Sequence, residues 1–224
     1  MLLSLLWVAV PFTLFPLAQQ YINSAVTGLL NGATPIFAAT VSTLLIKVAP
    51  RGIQLVGIVA GFVGVALISL GEVLASNSSN ETSLPGVLMV LAATVCYGFA
   101  INIAAPLQKK YGAVVLMSGV LGLATLWVLP LAFRDVSSNE PTLGISLAVV
   151  FLGAIGTGAA YWMMANLVGR VGAIRASFIT YLIPVVSLVL GVVFRNDTVA
   201  LLSLVGAVLT IGGALIASLG QRAR

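Results

Sequence analysis

Residues Leu29–Ser42 read "LLNGATPIFAATVS" and residues Phe178–Gly191 read "FITYLIPVVSLVLG". Each stretch is apolar enough for a lipid bilayer, yet each carries a proline, Pro35 or Pro184, in its middle. A proline inside a helix removes one i→i−4 hydrogen bond and frees a carbonyl that must find another partner. The first stretch adds an amide and a hydroxyl, Asn31 and Thr34, at the same depth. The second has Thr180 and Tyr181 there. The two stretches lie 149 residues apart (184 − 35). That register also aligns Gly57 with Gly206, Gly64 with Gly213 and Gly71 with Gly220. Leu55 and Val56 meet Leu204 and Val205, and Ser69 and Leu70 meet Ser218 and Leu219, without a gap. Coincident glycines and prolines over three consecutive spans mark an internal repeat.

Composition sets the class. Sixty per cent of the 224 residues (60%) are hydrophobic and 7% are charged, too few charges to coat a soluble domain of this length. Apolar runs long enough to cross a bilayer recur along the chain, which predicts an all-α integral membrane protein and not an outer-membrane barrel. The net charge of +5 does not imply a nucleic-acid partner, because the basic residues are scattered through loops. There is no histidine and Cys96 is the only cysteine, so neither an internal disulfide nor a His/Cys metal site is expected, and no cofactor is implied. The first segment lacks a basic n-region and a cleavage pattern and reads as a retained span.

Charges and turn formers divide the chain into eight transmembrane helices, roughly Leu2–Gln20, Ala25–Ile46, Ile53–Glu72, Pro85–Leu107, Ala113–Phe133, Leu143–Val168, Arg175–Phe194 and Val199–Leu219. At about 1.5 Å per residue, roughly 20 residues cross roughly 30 Å of hydrocarbon. If the first span runs outward from the cytoplasm, the inner loops hold Lys47, Arg51, Lys109, Lys110, Arg170, Arg175, Arg222 and Arg224, and the outer loops only Arg134 and Arg195. All five acids, Glu72, Glu81, Asp135, Glu140 and Asp197, fall at outer ends. This asymmetry predicts both termini in the cytoplasm of a multi-pass plasma or inner membrane protein.

Matched partners are five spans apart, an odd number, so the two copies are expected to cross in opposite directions. Inverted repeats of this kind underlie many secondary transporters. Residues 1–74 then hold three helices of the first repeat, 75–84 an outer linker, and 85–220 the five helices of the second. Since the second copy has two spans before its matched three, the first copy is expected to lack its first two helices. The eight are expected to be a remnant of a five-plus-five, ten-helix design.

Two longer stretches carry a family resemblance. "YWMMANLVGRVGAIRASFITYLIPVVSLVLGVVFRNDTVALLSLVGAVLTIGGALIASLG" resembles the second EamA-type domain of the drug/metabolite transporter superfamily. The cues are Tyr161, the "GAIRAS" run, the mid-span Pro184, an acid at the next turn and the glycines of the last helix. "NSAVTGLLNGATPIFAATVSTLLIKVAPRGIQLVGIVAGFVGVALISLG" resembles the matching part of the first domain. At the turn where the family commonly has glutamate, the second copy has Asp197 and the first, "KVAPRG", has no acid. The resemblance implies efflux of a small metabolite or amphipathic compound.

No Asp, Glu, Lys or Arg lies near the middle of any span, so no charged relay of the usual intramembrane kind is visible. Enzyme chemistry also lacks parts: there is no His, no paired intramembrane carboxylate and no Gly-rich phosphate loop. The candidate solute-binding residues are therefore uncharged: Asn31, Thr34, Pro35, Thr94, Tyr97, Thr157, Tyr161, Thr180, Tyr181 and Pro184. Thr94 and Tyr97, and Thr157 and Tyr161, are spaced to share a helix face. A wall of rings and hydroxyls suits an amphipathic solute, and ordinary interhelical packing is the competing reading. Trp7 and Trp127 read as packing or interfacial anchors. Gly57, Gly61, Gly64 and Gly71 on one helix, and Gly206, Gly212, Gly213 and Ser218 on another, are expected to scaffold the halves, with a homodimer through these helices as a further expectation. The leading function is a secondary transporter, an exporter working by alternating access in the lipid bilayer. The alternative is a non-transporting membrane subunit or a degenerate transporter remnant.

Overall fold

The computed structural model describes residues 1–22, 24–47, 49, 50, 52–75, 84–132, 142–183, 185, 186, 189, 193 and 201–219. Those residues form helices and short turns with no strand among them. The acids Glu81, Asp135, Glu140 and Asp197, the basic residues Arg51, Arg134, Arg195, Arg222 and Arg224, and most of the expected outer linker lie outside them.

Prolines and glycines punctuate the helices. The first apolar rod is α1 (Leu2–Ser4), a π-helical turn at Leu5–Ala9 and α2 (Val10–Ala18), with Pro11 just inside α2. The second expected span is two helices, α3 (Ser24–Asn31) and α4 (Thr34–Ile46), and α4 ends on Lys47 at φ 57°. Then come α5 (Gly52–Ala75), α6 (Leu84–Tyr111) and α7 (Ala113–Ala132). Next is α8 (Leu143–Phe151), which runs through a second π-helical stretch at Leu152–Ala159 into α9 (Ala160–Val171). The seventh span begins as α10 (Ala173–Ser177), tightens to a 3-10 turn at Phe178–Tyr181, and is described only in part beyond Ile183. The last helix is α11 (Leu201–Leu219). Two reversals pass through single glycines, Gly112 at φ 77° and Gly172 at φ 83° and ψ 168°. The Gly172 conformation is open essentially to glycine alone. Lys109 and Lys110 in the last turn of α6 complement the negative end of its dipole.

Leu84–Tyr111, Ala113–Pro130 and Leu143–Val171 are long and apolar enough to cross a membrane, and four shorter apolar helices accompany them among the described residues. Helix α6 is the central column. It touches α2, α3, α4, α7, α9 and α10. Its buried positions are mostly small (Gly86, Ala93, Gly98, Ala100 and Ala104), which lets neighbouring backbones approach. At Gly98 a Cβ would lie 2.9 Å from the backbone carbon of Phe37 in α4.

The glycine-rich helices α5 and α11 pack on each other and run antiparallel. A Cβ at Gly57 would lie 2.6 Å from the Gly213 carbonyl oxygen, one at Gly206 the same 2.6 Å from the Gly64 carbonyl oxygen, and Gly71 meets Ser203. Gly61 lies under the ring of Tyr181, while Gly212 faces open space. Apart from Gly212, the glycines that the sequence marks for close approach on these two helices are thus used within the chain. Elsewhere large apolar side chains stand outward, such as Leu143 and Leu201 at 77% exposed. A soluble monomer cannot tolerate so much contiguous apolar surface, and hydrocarbon is the solvent it fits.

Candidate functional site

The interruption at Pro35 can be followed atom by atom. Pro35 has no N–H to give the Asn31 carbonyl four residues back. The chain answers by ending α3 at Asn31, turning through Gly32 and Ala33, and restarting α4 with Pro35 in its first turn, where its missing donor costs nothing. The Thr34 hydroxyl donates to the Asn31 carbonyl at 2.7 Å. Thr34 therefore repairs the break locally and is fully buried, whereas Asn31 keeps part of its side chain exposed.

The seventh span departs from α geometry at the matched register. Ser177 Oγ donates to the Ile174 carbonyl and Thr180 Oγ1 to the Ser177 carbonyl, each at 2.7 Å, through the start of the 3-10 turn. Thr180 stays half-buried. Tyr181 is fully buried, stacks on Phe178 and donates its hydroxyl to the Ile58 carbonyl of α5 at 2.7 Å. Pro184 lies outside the described residues.

A second group forms where α2, α6 and α9 meet. Tyr97 of α6 and Tyr161 of α9 are both half-buried here. The Tyr161 hydroxyl donates to the Trp7 carbonyl at 2.9 Å. Trp7 is the residue four before Pro11, so this carbonyl too has lost its ordinary helical donor. Rings close the group: Trp7 sits edge-on to Tyr161 at 5.8 Å, Phe12 lies 6.0 Å from Tyr161, and Phe15 stacks on Tyr97 at 5.9 Å. Trp7 is 3% exposed and packs here, while Trp127 is exposed.

The remaining candidates are dispersed. Thr94 is fully buried and bonds the Val90 carbonyl of its own helix at 2.6 Å. Thr157 is half-buried within the second π-helical stretch. Asn102 is a tie outside the candidate set: its amide nitrogen donates to the carbonyls of Ala38 in α4 at 2.9 Å and Gly98 at 2.8 Å, while its buried Oδ1 has no partner among the described residues. An apolar cleft of about 300 Å³ between α4 and α5, and one of about 240 Å³ beside α7, include none of the ten candidates in their linings. Asn31, Tyr97, Thr157, Tyr161 and Thr180 thus keep partial exposure, and Thr34, Thr94 and Tyr181 do not. The set consists of rings, hydroxyls and an amide, with no charged side chain among them.

Phe12 and Phe15 escaped the sequence reading, although the prolines beside them were a usable signal. Pro11 predicts an orphaned carbonyl at Trp7 and hence a nearby donor.

Comparison with known proteins places the chain in a family. The model of the EamA-like transporter family matches residues 1–70 and 84–219. An uncharacterized transporter of Bacillus subtilis strain 168, YdfC, is 27% identical over 213 residues, covering 95% of this chain and 68% of YdfC. An uncharacterized transporter of Archaeoglobus fulgidus is 26% identical over 214 residues, covering 96% of this chain and 75% of its own. A solved crystal structure shares the fold with a TM-score of 0.81 at 22% identity, over 97% of this chain and 76% of the other. The protein is a multi-pass membrane transporter that belongs to the EamA-like transporter family of the drug/metabolite transporter superfamily.

Proposed function

We propose that the chain is a secondary transporter in which a small metabolite or amphipathic compound passes between two inverted repeats by alternating access, moving outward across the plasma or inner membrane. The observation that carries this reading is the paired break: the two sequence-matched spans leave α geometry at Gly32–Ala33 and at Phe178–Tyr181, and each keeps a polar side chain at the break, Asn31 or Thr180, partly exposed. Interrupted helices at matched positions are where inverted-repeat carriers build their solute path. The α5–α11 contact supports the same reading. Shifting each residue to its repeat partner converts the Gly57–Gly213 approach into Gly206–Gly64, which is also present. A contact that maps onto itself is what an internal two-fold relation between oppositely directed halves produces. The basic residues, eight on one set of loops against two on the other, support cytoplasmic termini.

The test is reconstitution in vesicles with a panel of amino acids and aromatic metabolites, each under an imposed pH gradient. Saturable flux of one solute class above that of empty vesicles is the expected result. Absence of flux for every solute under every gradient would overturn the reading in favour of a non-transporting subunit or remnant.

A further inference from the structure

The two π-helical stretches fall at the same place in the repeat. Adding the register of 149 to Leu5–Ala9 gives 154–158, inside Leu152–Ala159. Their surroundings are opposite. Leu3 and Trp7 are 5% and 3% exposed, in a core shared with Ile101 of α6 and Met117 of α7. Their repeat partners are Leu152 (3 + 149) and Gly156 (7 + 149), and both are exposed, Leu152 at 65%.

The exposure is not confined to one face. Every residue from Thr142 to Gly156 is exposed, about four turns of helix. A helix at the rim of a membrane bundle turns one stripe to lipid and another to its neighbours, and this rod has no buried stripe. Its glycines are also unused. A Cβ at Gly144 or Gly153 meets nothing within 4 Å, and one at Gly156 meets only Leu152 of its own helix. Glycine weakens a helix relative to alanine, and in a membrane it serves where another backbone comes close. The glycines of α5 and α11 that meet a neighbouring helix show that use within this chain.

The repeat says what approaches. Leu3 and Trp7 are covered by the α6–α7 hairpin, the first two helices of the second copy. Shifting Leu84–Ala132 back by 149 gives −65 to −17, so the equivalent hairpin for Leu152 and Gly156 lies outside residues 1–224. The geometry points to the rod Thr142–Gly156 as the docking surface of that one occupant, an apolar two-helix hairpin. It packs on Leu152 and Gly156 as α6 and α7 pack on Leu3 and Trp7. Because Gly156 stands where the first copy has an indole, the hairpin brings a large apolar side chain to that spot. Inversion sets its sense. The α6–α7 hairpin turns at Gly112, beside the end where Met1 meets Tyr111, so the docked hairpin turns at the opposite membrane face. The inference rests on the inverted repeat of the proposed function and not on transport.

Photocrosslinking in the native membrane tests it on the full chain. p-Benzoylphenylalanine is placed at Ile145 or Leu152, and at Val208, which is 74% exposed on α11, as the lipid-facing control. Two differently tagged copies are co-expressed, and adducts are sequenced by mass spectrometry. The expected adducts at Ile145 and Leu152 join peptides from two consecutive apolar spans outside residues 1–224, while Val208 gives lipid adducts alone. Gly156→Leu fills the approach and reduces the Leu152 adduct by about tenfold, whereas Gly122→Leu on α7 leaves it unchanged. Adducts to lipid alone, to the other tagged copy, or to a segment without two apolar spans overturn the proposal. A Leu152 adduct undiminished by Gly156→Leu overturns it too; should that variant fail to fold, Gly153→Leu gives the same reading. No solute enters the experiment, so these adducts can form when vesicle flux fails, and can fail when flux is seen.

Discussion

Replacing Gly64 by alanine is the most informative packing perturbation. A Cβ there would lie 2.5 Å from the Thr210 backbone nitrogen and 2.7 Å from the Gly206 carbonyl oxygen, both of them helix backbone. Ordinary van der Waals contact begins near 3.4 Å, so α5 and α11 must separate locally by about 0.9 Å (3.4 − 2.5). No flexible side chain can absorb that displacement. Overpacking of this kind costs about 1–3 kcal/mol, partly offset by up to about 1 kcal/mol of helix propensity gained on replacing glycine. Gly122 in α7 is the control, since a Cβ there meets nothing within 4 Å. Gly122→Ala keeps only the propensity gain and is expected to be neutral or stabilising by up to about 1 kcal/mol. For a chain of this size each kcal/mol moves Tm by about 2–4 °C. Thermal unfolding in detergent, followed by tryptophan fluorescence, should therefore place Gly64→Ala below the wild type and Gly122→Ala at or above it. Gly213→Ala, the repeat partner of Gly64, should fall with it. A Gly64→Ala protein as stable as Gly122→Ala would refute the close approach of α5 and α11.

Three further outcomes follow from the hydrogen bonds. Tyr161→Phe strips the Trp7 carbonyl of its donor and should cost about 1–2 kcal/mol, read as a lowered Tm with the α-helical circular dichroism unchanged. Thr34→Val leaves the Asn31 carbonyl without its donor and should destabilise by about 1 kcal/mol, whereas Thr40→Val, at an exposed hydroxyl bonded to the Ile36 carbonyl of its own helix, should not. In reconstituted vesicles Asn31→Ala should reduce solute flux more than Thr94→Val does, because Thr94 is buried with its hydroxyl committed; equal losses would remove Asn31 from the solute path.

Much of the helical architecture was legible because lipid leaves a chain few choices. With no water to satisfy the backbone, apolar runs must be helices, and the glycines and prolines between and within them set the ends and breaks. Pro35 told where its span would break, and the glycines of α5 and α11 told where backbones would meet. The identity of the groups satisfying each interruption was less legible, because that depends on which helices become neighbours. Thr34 has the same composition signal as a solute-facing hydroxyl, yet it serves the carbonyl that Pro35 leaves open. Tyr181 reads as a polar wall residue, but Gly61 removes a side chain from α5 and lets the ring lie against that helix. Arg175 reads as one more loop cation in a positively charged set. Only the one-residue reversal at Gly172, followed by α10, shows that its Nε and Nη2 are buried.

The central claim is that the two matched breaks line one path open alternately to each side. The most direct measurement places single cysteines at Asn31 and at Thr180, in a background where Cys96 is serine. Labelling by a membrane-impermeant thiol reagent is then followed from each face of oriented vesicles. Both positions should react from both faces, with access from one face falling as access from the other rises when a transported solute is added. Labelling of both positions from one face only, unchanged by any solute, would contradict the account.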